Sequence, residues 1–139
     1  MIGRVLDSSS LVHWARRSSP YVSAVIFSRA EHEGYIVPVV TTAPAVTAAL
    51  AQIPDAAVAV LDALVRMEIC VVDDLTPGSA PGVAEVLRAA GPYAAEQLTA
   101  ASVVHAARRR DIPVVTSNPH PLVTLADRMG IELEIDLIP

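Results

Sequence analysis

The chain has 139 residues, a net charge of −5 and 53% hydrophobic residues. A chain of this length folds as one domain that buries roughly two-thirds of the surface it exposes when unfolded. Charged residues, Pro or Gly interrupt every long apolar stretch, so the sequence predicts no membrane-spanning segment. The negative charge disfavours broad affinity for nucleic acid. We therefore predict a single soluble domain over residues 1–139.

Two scarce residue types limit the chemistry of the chain. Cys70 is the only cysteine, so no intramolecular disulfide and no cysteine zinc cluster can form, and a reducing, cytoplasmic location is predicted. All ten basic residues are Arg. A Walker-type phosphate loop is excluded because it needs a Lys, and a dinucleotide fold is disfavoured because no strand precedes a G-x-G-x-x-G segment.

The first half of the chain predicts two strands and four helices. Residues 1–6 read as a strand and lack the features of a secretory signal. A short helix over about residues 10–16 follows, and Ser19-Pro20 begins a second helix that ends at Gly34. Residues 35–40 form the second strand. Thr42 and Pro44 begin a third helix and Pro54 a fourth, both with apolar residues at helical spacing.

The second half predicts three strands and three helices. Strands are predicted at residues 68–72, 113–116 and 131–137, and the last alternates strictly, as a strand at a sheet edge does. Helices are predicted around 83–90, over about 93–110, and before Gly130. Helices between strands indicate parallel pairing. We predict an α/β fold, a three-layer α/β/α sandwich with a mainly parallel five-stranded sheet.

Asp7 stands at the end of the first predicted strand, in Arg4-Val5-Leu6-Asp7-Ser8-Ser9-Ser10. The carboxyl end of such a strand lies where α/β folds bind ligands. The same position suits an acid that caps the following helix. The segment by itself leaves both interpretations open.

Three motifs, taken in order, resemble those of PIN domains, of the kind found in VapC-type toxins. Residues 5–12 resemble the first motif, Val37-Pro38 resembles the pair before the second, and residues 113–119 resemble the fourth, in which Asp usually stands in place of Asn118. The resemblance spans essentially the whole chain. It implies an endoribonuclease dependent on Mg²⁺ or Mn²⁺, with Asp7 as a metal ligand, and a homodimer paired with an antitoxin-like protein.

The chain departs from the family at three of its four acids. The second acid should lie within Thr42-Ala43-Pro44-Ala45-Val46, where no Asp or Glu occurs. The third position is Ala100 and the fourth is Asn118, whose amide brings no charge. Mg²⁺ is held by carboxylates, waters and phosphate oxygens, so a site with Asp7 as its one family acid is a poor metal trap.

Six residues besides Asp7 belong to the predicted site. Glu96 precedes Ala100 by four residues, so it can substitute as a ligand or stabilise a helix amino end. The predicted catalytic residues are thus Asp7, Glu96 and Asn118, and the predicted RNA-binding residues are Ser9, Thr116, Arg108 and Arg109. The arginines alternatively form a solvated helix end.

The missing acids lead to the functional hypothesis. We predict a PIN-like domain with a degenerate site that is weakly catalytic or non-catalytic and acts by binding RNA or a protein partner. One alternative is an active endoribonuclease toxin of a toxin–antitoxin pair, which uses Asp7, Glu96 and Asn118, with acids donated across a dimer. Another is a structural or regulatory oligomer without a nucleic-acid role.

Overall fold

Five parallel strands form one sheet in the computed structural model, which describes residues 3–30, 38–91 and 95–139. The strands are β1 Arg4–Leu6, β2 Val39–Thr42, β3 Cys70–Asp73, β4 Val114–Thr116 and β5 Ile135–Leu137. Their order across the sheet is β3-β2-β1-β4-β5. From β1 the chain adds β2 and β3 on one side and then β4 and β5 on the other side, so the strand order switches sides between β1 and β4. A crevice at such a switch point binds ligands in other α/β folds.

Seven α-helices in the described ranges cover the sheet. They are α1 Ser8–Arg16, α2 Pro20–Ala30, α3 Ala43–Leu50, α4 Asp55–Val65, α5 Ala80–Arg88, α6 Leu98–Arg110 and α7 His120–Met129. Helix α6 contacts β1 and β2 and also packs against α5 and α7, whereas α1 packs against α3 and α4. The predicted α/β/α sandwich is confirmed. No helix of the described residues is long and apolar enough to cross a membrane.

The core explains why the central strands read as continuous apolar runs. Strands of a parallel sheet are covered on both faces, so both sets of alternating side chains are apolar. The side chains of β2, β4 and the last two residues of β1 are almost completely buried. Their apolar members pack with helix residues such as Leu11, Ile26, Leu61, Leu64 and Leu125. Asp7, which follows directly after β1, therefore lies at the edge of this apolar core.

Short-range signals placed several helix ends correctly. Thr42 Oγ1 accepts a hydrogen bond from Ala45 N at 3.2 Å, and Ser19 Oγ accepts one from Val22 N at 3.3 Å. Gly130 ends α7 with a φ of 68°. The predicted caps are therefore confirmed. The predicted helix end at Gly34, residues 1–2 of the first strand, 35–37 of the second and 92–94 lie outside the described residues.

Three predicted boundaries shift for identifiable reasons. Helix α1 begins at Ser8 because Asp7 itself is its cap. The predicted helix over 93–110 contains a 3₁₀ turn at Ala95–Gln97 before α6 begins. Only Ile135–Leu137 of the predicted last strand is paired, because its neighbour β4 is itself three residues long. The predicted edge position of this strand is confirmed.

Candidate functional site

Asp7 caps helix α1 from the carboxyl end of β1. Its side chain is 7% exposed, and its backbone is extended, with φ −83° and ψ −177°. Asp7 Oδ1 accepts a hydrogen bond from Ser10 N at 2.9 Å. Of the two interpretations that the sequence left open, the structure confirms the helix cap, and it also places the carboxylate at the predicted mouth of the sheet.

Two hydroxyl groups also donate to the Asp7 carboxylate. Ser9 Oγ donates to Oδ1 at 2.6 Å, and Thr116 Oγ1 donates to Oδ2 at 2.5 Å. The same hydroxyls also accept hydrogen bonds from backbone amides of the segment after β4. Ser117 N donates to Ser9 Oγ at 3.0 Å, and Asn118 N donates to Thr116 Oγ1 at 2.9 Å. The segments that resemble the first and fourth PIN motifs are therefore joined by one network centred on Asp7. Ser9 and Thr116, predicted to bind RNA, are structural members of it.

A cavity of about 320 Å³ opens beside this network. Asp7, Glu96 and Asn118, the predicted catalytic residues, line it together with Ala100. Glu96 is exposed and lies in the 3₁₀ turn, so it does not occupy the α-helical position one turn before Ala100 that the sequence predicted. The structure nevertheless brings the predicted residues around one space, which we call the Asp7 cavity.

Neutral hydroxyls occupy the neighbouring position at the end of β2. Thr42 Oγ1 lies 2.8 Å from Ser102 Oγ, and both residues are buried. Thr42 Oγ1 accepts from Ala45 N while Ser102 Oγ donates to Thr99 O at 2.7 Å, so Thr42 is the donor to Ser102. The pair satisfies its own hydrogen bonds without any charge. Among the residues that the structure describes, no group of three or more His, Cys, Asp or Glu is placed to hold a metal ion.

The predicted RNA-binding arginines lie away from the lining of the Asp7 cavity. Arg108 Nη1 donates to Glu85 Oε1 at 3.4 Å, in an exposed pair. Arg110 donates to both oxygens of Asp73, at 2.5 and 2.6 Å. Arg109 lines a different cavity, between α5 and α6. Two of the three arginines are therefore paired with acidic side chains, and the triplet does not form a basic patch at the Asp7 cavity.

The cavity between α5 and α6 has a volume of about 540 Å³ and was not predicted from the sequence. It opens at the carboxyl ends of β2 and β3, and its polar wall includes Ser102, His105 and Arg109 of α6. These residues are three and four positions apart, which places them on one helix face. That spacing was the available sequence signal.

Comparison with known proteins supports the fold. No protein-family model matches the chain, and no curated protein sequence does. The chain is similar to a chain in the crystal structure of VapBC2 from Rickettsia felis bound to a DNA fragment from their promoter, with a TM-score of 0.63 and 11% identity over 99% of this chain and 100% of that one. At this identity the similarity shows the PIN-like fold predicted from the motifs.

Proposed function

We propose that this chain is a PIN-like protein that acts by binding a partner and does not cleave RNA efficiently. The observation that carries the proposal is the hydrogen bonding of Asp7. Its Oδ1 accepts two hydrogen bonds, from Ser9 and Ser10, and its Oδ2 accepts one from Thr116. A carboxylate oxygen offers two lone pairs. Asp7 therefore keeps one lone pair for an ion, on Oδ2.

The other residues that line the Asp7 cavity do not supply the carboxylates that a metal site needs. Ala100 supplies a methyl group and Asn118 a neutral amide to the Asp7 cavity. Glu96 is the other carboxylate along the described lining, and it is exposed. A two-ion site needs several carboxylates to hold two dications close together. The residues present therefore do not fit a pair of Mg²⁺ or Mn²⁺ ions, and we derive no step of hydrolysis through them.

An RNA-cleavage assay tests the catalytic half of the proposal. With Mg²⁺ or Mn²⁺ and mixed RNA, we expect the protein to cleave no faster than the buffer control. We also expect Asp7→Asn to leave this background cleavage rate unchanged, and the variant should still fold because Asn keeps an oxygen acceptor for the helix cap. Cleavage well above background that Asp7→Asn abolishes would show that the chain is a nuclease with Asp7 in its active site.

An exposed aromatic groove favours a protein as the partner. Trp14 and Phe27 form a tilted ring pair with centroids 5.6 Å apart, and Phe27 is 56% exposed. With Ala59, Val60 and Ala63 they line a cavity of about 600 Å³ bordered by Arg17. Exposed aromatic side chains next to Arg are typical of protein-binding hot spots. We call this surface the aromatic groove.

The charge distribution disfavours RNA relative to a protein. Arg108 and Arg110 are already paired with Glu85 and Asp73, and the net charge is −5. One similar solved structure is that of VapBC2 from Rickettsia felis, bound to a DNA fragment from their promoter. We therefore propose an antitoxin-like protein as the partner, with an apolar segment seated in the aromatic groove and an acidic flank facing Arg17.

Replacing Phe27 tests this interface. Phe27→Ser is expected to weaken binding of the antitoxin-like partner by about tenfold or more, because an aromatic hot spot contributes over 1 kcal/mol. Leu137→Ser is the matched control, since Leu137 is also 56% exposed but lies on β5. Isothermal titration calorimetry measures both. Equal losses for the two variants, or no binding by the unmodified chain, would overturn the proposed interface.

A further inference from the structure

The cavity between α5 and α6 holds a histidine that packs directly on the backbone of the neighbouring helix. A Cβ added to Gly82 of α5 would lie 2.4 Å from Cε1 of His105, so the imidazole fits there because residue 82 has no side chain. Within the described ranges, His105 forms no hydrogen bond through either ring nitrogen. The ring is thus positioned by packing, and its two nitrogens flank the contact with Gly82, at 2.9 and 3.1 Å from the same added Cβ. We call this space the α5–α6 cavity.

Arg109 is the second basic group in this wall. It follows His105 by four residues on α6, so both side chains lie on the same helix face. Arg108 and Arg110 are paired with Glu85 and Asp73, whereas Arg109 forms no ion pair with a residue that the structure describes. Burial, and then the positive charge of Arg109, lowers the pKa of His105. The charge of Arg109 therefore acts on the same space that the imidazole faces.

Two acidic groups, Asp73 and Asp74, also lie in this wall. Asp73 is held by both terminal nitrogens of Arg110, at 2.5 and 2.6 Å, and its side chain is 20% exposed. Asp74 and Arg109 are both exposed, and the negative charge of Asp74 formally balances the positive charge of Arg109. Helix α5 begins beside the cavity, and its cap residue Ser79 forms no side-chain cap hydrogen bond. The amino end of α5 therefore adds a partial positive charge.

These features match the chemistry of a phosphate group. Arg presents a planar set of N–H donors that suits phosphate oxygens, and an imidazole nitrogen donates to a third oxygen. A cavity of about 540 Å³ exceeds the size of a bare ion and lies in the range of small-molecule sites. We propose that the α5–α6 cavity binds a small phosphate monoester, with Arg109 and His105 donating to the phosphate and Gly82 making room for the imidazole. This inference does not rest on the proposed function.

Nuclear magnetic resonance of the His105 ring protons tests the site. The signals are assigned with a His105→Gln variant and followed during additions of AMP, of inorganic phosphate, and of sodium chloride at matched ionic strength. We expect AMP to produce a saturable shift. A bound dianion favours the imidazolium, so AMP should also raise the pKa of His105. Unchanged His105 signals at millimolar AMP, or a response to inorganic phosphate alone, would overturn the proposal.

Neighbouring arginines supply a matched control. Arg109→Gln is expected to weaken AMP binding by about tenfold or more, because it removes a charge-assisted hydrogen bond. Arg108→Gln removes the same charge from the same helical turn but should change affinity by less than about twofold, because Arg108 is paired with Glu85 and does not line the cavity. Equal losses for the two variants would indicate a general charge effect and contradict the site.

Gly82→Ala tests the packing of the imidazole without changing any charge. Ala is a better helix former than Gly, so α5 should be retained, but its Cβ must displace the His105 ring. We expect AMP affinity to fall while the circular dichroism spectrum and the urea midpoint stay close to those of the unmodified chain. Unaltered AMP affinity in this variant would show that the position of His105 does not matter.

Discussion

Asp7→Ala is expected to lower the free energy of unfolding by about 3 kcal/mol, because it removes a helix cap and the charge-assisted hydrogen bonds of two hydroxyls. The cap of α1 alone accounts for about 1 kcal/mol of this. The remainder comes from Thr116, which is fully buried, and from Ser9, both of which donate to Asp7. Urea denaturation followed by circular dichroism measures the change.

Asp7→Asn is the matched control for this prediction. The amide oxygen can still accept from Ser10 N, and the Thr116 hydroxyl can turn toward Ser9, which lies 3.2 Å away, while it accepts from the new amide. We therefore expect a loss of about 1 kcal/mol, the value of a weakened hydrogen bond. A stable Asp7→Ala variant, within about 0.5 kcal/mol of the unmodified chain, would show that the network does not hold β1 to β4.

Restoring two acids is expected to create a metal site where the natural chain has none of comparable strength. In the double variant Ala100→Asp, Asn118→Asp, four carboxylates would line the Asp7 cavity, counting Asp7 and Glu96. Because hard dications are held by carboxylate oxygens, we expect Mn²⁺ to bind about 100-fold more tightly, or by about 1.4 kcal/mol per added acid. Calorimetric titration with Mn²⁺ measures the change.

The control for this gain places the same charges elsewhere. Ala51→Asp with Ala56→Asp adds two acids at exposed positions outside the Asp7 cavity, so screened attraction should change Mn²⁺ affinity little. The restored variant should also be less stable without metal, because its new carboxylates repel Asp7, and it should recover stability when Mn²⁺ is added. Equal Mn²⁺ affinity of the restored and natural chains would contradict the importance of the missing acids.

Signals confined to a few neighbouring residues predicted much of the fold. The caps Ser19 and Thr42 are short-range devices, and the apolar runs of the central strands follow from burial on both faces. The predicted length of the last strand was wrong because its pairing depends on the length of β4, which no residue of the last segment indicates. Periodicity describes one element at a time and does not show how many partners its neighbour offers.

The sequence indicated some of the residues around Asp7 but not how they are bonded. The motifs named Asp7 and Asn118, and both line the same cavity. The hydrogen bond from Thr116 to Asp7 crosses 109 positions of the chain, so no local pattern indicated it. The contact of His105 with Gly82 was missed for the same reason, since it depends on how closely α5 and α6 pack.

Anomalous diffraction from crystals soaked in Mn²⁺ tests most directly whether the cavity beside Asp7 can hold the ions of a nuclease. We expect no ordered Mn²⁺ on the Asp7 carboxylate, whose Oδ1 is saturated by Ser9 and Ser10. Crystals of the Ala100→Asp, Asn118→Asp variant, soaked in the same way, should show bound Mn²⁺. Two well-occupied ions beside Asp7 in the natural chain would contradict the proposal that it acts by binding rather than by cleavage.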